Sequence, residues 1–211
     1  MLCAHLPADH IHIQRWAKDL VGFQRGSENM KLGNTLYVTD RKEWRAWLAK
    51  NHGTEKEIWL VYFLKSSKKP RIPYNDAVEE ALCFGWIDST VKKIKEGVNA
   101  QRFSARKENS PLSEMNKERV RRLVRQGKMT PAGMKKVKKF LGENFTIPED
   151  ILLALKKDKT TWKNFKGFPG FYKHIRIGWI EGARNRPAVF VTRLRYFLKM
   201  TKSNRRFGMV R

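Results

Sequence analysis

The sequence predicts an α+β fold: a small, mainly antiparallel sheet with helices, followed by an all-helical C-terminal part. Three observations carry this. The run Glu57 to Leu64 is nearly continuous in β-branched and aromatic residues, the pattern of a strand buried on both faces. Trp86 to Ile94 and Val98 to Arg106 are two strand-like runs joined by the turn Lys95-Glu96-Gly97. Beyond Phe145 no segment reads as a strand, and apolar residues recur at helical spacing instead.

Composition bounds the rest. Hydrophobic residues make up 41% and aromatics 11%, enough for a packed core. The net charge of +25 is one-sided. Residues 1–105 hold 17 Lys+Arg against 12 Asp+Glu, whereas residues 106–211 hold 28 against 8. A surplus of this kind suits a polyanionic partner such as RNA, DNA or an anionic membrane surface, and equally suits a solvated basic face. Cys3 and Cys83 form no disulfide framework and no CxxC spacing, which fits a reducing compartment. There is no 18-residue apolar run and no secretory layout at the N-terminus, so the cytoplasm is expected. No metal or cofactor signature is present.

Residues 1–29 differ in character from the rest of the chain. They hold His5, His10 and His12 and have little periodicity beyond a short helical stretch from His12 to Phe23. They are expected to be a non-native or flexible extension, with Met30 as the start. His10-x-His12 lacks a third ligand for a metal. Residues 30–144 are expected to form the α+β domain. Leu36-Tyr37-Val38 is a short strand. Asp40-x-x-Glu43 is a capping box for a helix over Arg41–Lys50 with Trp44, Trp47 and Leu48 inward. Asn51-His52-Gly53 stops it, with His52 as a partner of the helix dipole. Asn75 caps a helix to Cys83 whose inner face is Ala77, Val78, Ala81 and Leu82. Gly85 sits where a helix-ending glycine belongs, and Cys83 reads as a buried small hydrophobe.

Ser113 caps a helix to Arg125 with Arg119, Arg121, Arg122 and Arg125 outward. Thr130-Pro131 starts another, to about Leu141, bearing Lys135, Lys136, Lys138 and Lys139. Residues 145–200 are expected to form the helical part, with helices over Glu149–Lys156, Thr161–Phe165, Phe171–Ala183 and Pro187–Met200. Residues 201–211 are expected to be a mobile basic tail.

The stretch Phe84-Gly85-Trp86-Ile87-Asp88-Ser89 is the candidate site. Counting back from the hairpin turn sets Asp88 opposite Ser104, Trp86 opposite Arg106 and Thr90 opposite Arg102. One face then holds Trp86, Asp88, Thr90, Arg102, Ser104 and Arg106, and the other Ile87, Val91, Phe103 and Ala105. The first face suits an anion or a stacking ligand, or else a structural Asp88–Arg pair beneath Trp86. Ser110, Ser113 and Asn116 come next, at a helix start, where free N–H groups attract anions, or where a serine only caps. Asp88 and Cys83 are the only groups near this pocket able to act as base or nucleophile, and His174 lies on a wet basic face. In the last third, Trp162, Phe165, Phe171 and Trp179 interleave with cations, which fits either core packing or nucleic-acid stacking.

These residues resemble a known family. Leu36 to Asp40, Trp44 to Leu48, Ala81 to Ser89, Gln101 to Arg106 and Gly127 to Gly133 are similar to the YdeI/OmpD-associated family, also labelled bacteriocin-protection proteins. Gly178-Trp179-Ile180-Glu181 and Thr192 to Arg195 are similar to its C-terminal helical part. The resemblance covers about residues 35–200 and departs at Ala105, where the family tends to have Pro, and at Leu112, where it tends to have Trp. It implies a bacterial cytosolic protein linked to bacteriocin or envelope-stress resistance, and no established reaction. The leading functional expectation is a non-enzymatic protein of this type that binds an anionic ligand, small molecule or polyanion, at Trp86, Asp88, Arg102, Ser104, Arg106, Ser110, Ser113 and Asn116. The alternative is a nucleic-acid-binding protein using Arg121, Arg122, Arg125, Lys135, Lys136, Lys138 and Lys139. A third is an enzyme centred on Asp88.

Overall fold

The computed structural model describes residues 32–108 and 110–208. The expected extension over residues 1–29, with Cys3 and its three histidines, lies outside the described residues, as does the end of the tail. The described chain is α+β. It divides into two compact units: residues 32–108 with 128–136, and residues 110–127 with 137–208.

The first unit holds a four-stranded sheet. Its strands are β1 (Thr35–Leu36), β2 (Glu57–Phe63), β3 (Trp86–Lys95) and β4 (Val98–Ala105), in the order β1-β2-β4-β3. Only β1 and β2 run parallel. Helices α1 (Arg41–Asn51) and α2 (Tyr74–Cys83) cover the face bearing Ile58, Leu60 and Phe103. Asp40 caps α1 by accepting from the N–H groups of Lys42 and Glu43, and Glu43 answers by accepting from the Thr39 N–H at 2.7 Å. The two helix tryptophans are core, as their spacing predicts: Trp44 and Trp47 stack at 5.3 Å, and Trp44 meets Phe103 edge-on at 5.5 Å. The α2 cap differs from expectation. Pro73 is the N-cap and makes no side-chain bond, and Asn75 lies inside the helix, because the fixed φ of proline already turns the chain. β2 is buried only in its first half; Val61, Tyr62 and Phe63 are half-exposed, since the sheet narrows there.

Two short passages join the elements. Phe84 closes α2 and Gly85 follows at φ +76°, the left-handed conformation expected of a helix-ending glycine. Gly97, in the β3–β4 turn, has the same φ of +76°.

The second unit is all-helical among its described residues. It holds α3 (Glu114–Arg125), the C-terminal end of α4 (Pro131–Leu141), α5 (Glu149–Lys156), α6 (Lys159–Gly167), α7 (Gly170–Glu181) and α8 (Pro187–Lys202). Its core joins Ile151, Leu155, Phe165, Phe168, Tyr172, Ile177, Ile180 and Phe197. α6 begins earlier than expected because Asp158 caps it, accepting from the Thr161 N–H at 2.7 Å. At Gly178 a Cβ would lie 2.7 Å from the Cβ of Glu114, so α7 and α3 pack closely there. Arg184 holds Asp150 through two bonds of 2.6 and 3.2 Å and also pairs with Glu181. Within the tail's described residues, Phe207 packs on Tyr196 at 4.7 Å and on Trp179 at 5.8 Å. Its aromatic ring outweighs the basic residues around it.

Candidate functional site

The hairpin does not build the polar face that counting predicts. Trp86 stands opposite Ala105, Ile87 opposite Ser104 and Asp88 opposite Phe103. The register then shifts between Asp88 and Val91, so Thr90 is not paired with Arg102. An irregularity of this kind moves every side chain beyond it to the other face. Trp86 and Asp88 therefore share the helix-covered face with Phe103, while Ser104 and Arg102 lie on the reverse. Val91, expected to be core, is 58% exposed.

Each of these residues has a local partner. Trp86 is 1% exposed, donates its Nε1–H to the His52 carbonyl at 3.1 Å, and meets Trp47 edge-on. Asp88 accepts from the Tyr74 hydroxyl at 2.6 Å. Arg102 grips Glu57 with Nε at 2.8 Å and with Nη2, and this pair holds the Glu57 carboxyl below its ordinary range. Arg106 is 2% exposed and donates to the Lys136 carbonyl at 3.0 Å, and burial lowers its pKa. Ser104 faces Glu57 and Ile87 across the sheet. Ser113 caps α3 by accepting from the Asn116 N–H, and the Asn116 side chain accepts from Arg119 at 2.7 Å. Ser110 is half-buried. Ser110, Ser113 and Asn116 belong to the second unit, the others to the first.

Sequence reasoning missed two features of the first unit. One is an ion-pair network between α1 and α2. Glu80 is 2% exposed and lies 2.6 Å from both Arg41 and Arg45, and Arg41 also reaches Glu79 at 2.5 Å. Burial works against the Arg41 charge, but the Glu79 bond and the neighbouring carboxylates outweigh it and raise its pKa. The signal was the spacing of Arg41 and Arg45 on one helix face and of Asp76, Glu79 and Glu80 on another. Beside this network, burial and then Glu80 push the Cys83 thiol up to about 11, which makes it a poor nucleophile.

The other is the seat of the Phe84–Gly85 turn. Thr130 donates from its N–H and its hydroxyl to the Cys83 carbonyl, at 3.0 and 2.6 Å. The same hydroxyl accepts from the Gly133 N–H at 3.2 Å and so caps α4. A Cβ on Gly133 would lie 2.0 Å from the Cys83 oxygen. The motifs Ala81 to Ser89 and Gly127 to Gly133 are thus two halves of one contact.

The cations of the nucleic-acid alternative are unequally free. Arg121 pairs with Glu118 at 2.6 Å, Arg122 is half-buried, and Lys136 lies against Gly85. Arg125, Lys135, Lys138 and Lys139 are exposed. Among the described residues no three His, Cys, Asp or Glu side chains come together as a metal-binding group, and no described helix is long and apolar enough to cross a membrane.

Residues 144–204 match the family model described as bacteriocin-protection, YdeI or OmpD-associated. Over these residues the chain is similar to that family. Residues 36–136 match a separate model, described as a domain of unknown function (DUF8412). No curated protein and no solved structure matches the chain.

The matched segment, residues 144–204, holds α5 to α8. Its α6 presents Trp162, half-buried, with Lys156 at 5.5 Å and Lys166 at 5.8 Å over the ring and Phe165 stacked beside it. Lys157, Lys159 and Lys163, close to it in sequence, are exposed. The one acid on this stretch, Asp158, is engaged by Thr161 and Lys202. Where the segment meets α3, an open cleft of about 300 Å³ is lined by Glu114, Lys117, Arg121, Glu143, Phe145 and Glu181 among others. Its charges are already mutually paired: Lys117 holds Glu114 at 2.7 Å and Glu143 at 2.6 Å. Nearby, His174 meets Glu118 at 2.7 Å and packs on Phe145 at 4.1 Å.

Proposed function

We propose that the chain is a non-enzymatic cytoplasmic binding protein of the YdeI/OmpD-associated type, and that its ligand is a nucleic acid held by exposed cations of the second half of the chain. One observation carries this reading. Lys135, Lys138 and Lys139 on α4, and Lys157, Lys159 and Lys163 close to Trp162 in sequence, are exposed cations with no carboxylate partner among the described residues. Uncompensated cations beside a half-exposed indole suit phosphate contact together with base stacking. A bacteriocin-protection or stress-resistance role would then act through a polyanion rather than through a reaction.

The narrower reading, an anionic small molecule on Trp86, Asp88, Arg102 and Arg106, draws less support. Those groups are buried or engaged, and the strand register divides them between two faces. A catalytic Asp88 would have to act while accepting from Tyr74.

The test is fluorescence anisotropy of a labelled single-stranded RNA oligonucleotide over a salt series. Affinity should fall steeply and linearly on a log–log plot against salt. Absence of binding at 50 mM salt, or binding indifferent to salt, would overturn the proposal.

A further inference from the structure

Arg176, on α7, is 6% exposed. A guanidinium so buried normally has a carboxylate or a set of carbonyls to answer its charge. Here it has aromatic rings. It lies 5.6 Å from the centroid of Tyr172, 5.9 Å from Trp179 and 4.7 Å from Phe207. No carboxylate among the described residues pairs with it, and its Nε has no hydrogen-bond partner. Burial lowers its pKa. Two further cations act on the same rings: Arg193 stands 4.8 Å from the Trp179 ring, and Arg206 acts on Tyr172.

The tail covers this cradle. The Phe207 ring sits among Tyr172, Trp179, Tyr196 and Phe197, at 4.7 to 6.5 Å. Its N–H meets the Tyr172 hydroxyl at 3.3 Å. Gly208 follows at φ +77°, and a Cβ there would lie 2.8 Å from Nη2 of Arg176. Phe207 thus fills the aromatic half of the cradle. Nothing in Arg205 to Gly208 supplies an anion for the other half.

We propose that this cradle is a ligand site for an aromatic group carrying an oxyanion, an aryl phosphate or a nucleoside monophosphate in chemical class, and that Phe207 is its displaceable self-ligand. The incoming ring takes the place of Phe207 among Tyr172, Trp179 and Tyr196, and the oxyanion receives the Arg176 fork in charge-assisted bonds. The proposal stands apart from the nucleic-acid reading. It rests on a buried charge without a counter-charge among the described residues, and a protein that ignores RNA could still hold such a ligand.

The test is thermal unfolding of the full chain with phenyl phosphate, with inorganic phosphate, and with sodium chloride at matched ionic strength. Phenyl phosphate at ten times its dissociation constant should raise the melting temperature of the parent by about 3–6 °C. The Phe207→Ala chain should reach the same rise at a lower concentration, because the self-ligand is gone. Arg176→Met should lose the rise, and Arg176→Lys, which keeps the charge but not the fork, should need more ligand than the parent. Two results would overturn the proposal: inorganic phosphate matching phenyl phosphate, or an undiminished response in Arg176→Met. Should the Met variant not fold, an Arg176→Lys response equal to the parent's does the same.

Discussion

The Cys83 carbonyl accepts two hydrogen bonds from Thr130, from its N–H at 3.0 Å and from its hydroxyl at 2.6 Å. One residue thereby ends α2 and begins α4. The hydroxyl serves both ends, since it also accepts from Gly133. Thr130→Val keeps the shape and removes the hydroxyl, leaving Gly133 uncapped. It should cost about 1–2 kcal/mol in urea unfolding, and Thr130→Ser should restore most of it.

Gly133 is tested separately. A Cβ there would meet the Cys83 carbonyl at 2.0 Å, a backbone atom that cannot swing aside. Gly133→Ala should destabilise by about 2–3 kcal/mol. Gly142, where an added Cβ meets nothing within 4 Å, is the control. Its alanine variant should be neutral or more stable by roughly a few tenths of a kcal/mol.

Much of this was legible in the sequence, and the reasons are local. The Asp40 cap, the Thr130-Pro131 start and the Gly85 turn each depend on one or two residue types at fixed offsets. The candidate face was not legible. Counting residues back from Gly97 assumes an unbroken ladder, and the shift between Asp88 and Val91 breaks it, so Arg102 turned out to face Glu57 rather than Asp88. The packing of Phe207 was not legible for a different reason. Basic residues around Phe207 read as solvated chain, but one ring with four aromatic neighbours outweighs them.

The α1–α2 network makes its own prediction. Glu80 is buried between two guanidiniums, so Glu80→Ala leaves Arg41 and Arg45 without their shared partner. Loss of about 3 kcal/mol or more in urea unfolding is expected, while Glu96→Ala, whose lysine pair is exposed, should change little. Equal effects at the two positions would mean that the buried network is no stronger than a surface pair.

Asp158 gives a pH dependence with a defined sign. The Thr161 N–H first, then the Thr161 hydroxyl and Lys202, hold its carboxyl down to about 2 from 3.8. A depressed folded-state pKa contributes stability above the unfolded value, and the contribution fades as pH falls through about 2. Asp158→Asn should therefore be less stable than the parent at pH 6, and the gap should close towards pH 2. A gap that persists unchanged at pH 2 would assign the effect to something other than the carboxylate.

The central claim is that the exposed cations of the second half, and not the Trp86–Asp88 stretch, carry the binding function. The most direct measurement compares two variants for affinity to one single-stranded RNA at several salt concentrations. Lys135→Ala, Lys138→Ala and Lys139→Ala together should weaken binding and reduce the salt slope by about 0.7 for each phosphate no longer neutralised, while Asp88→Asn should leave both unchanged. Binding abolished by Asp88→Asn and kept in the lysine triple variant would contradict the claim.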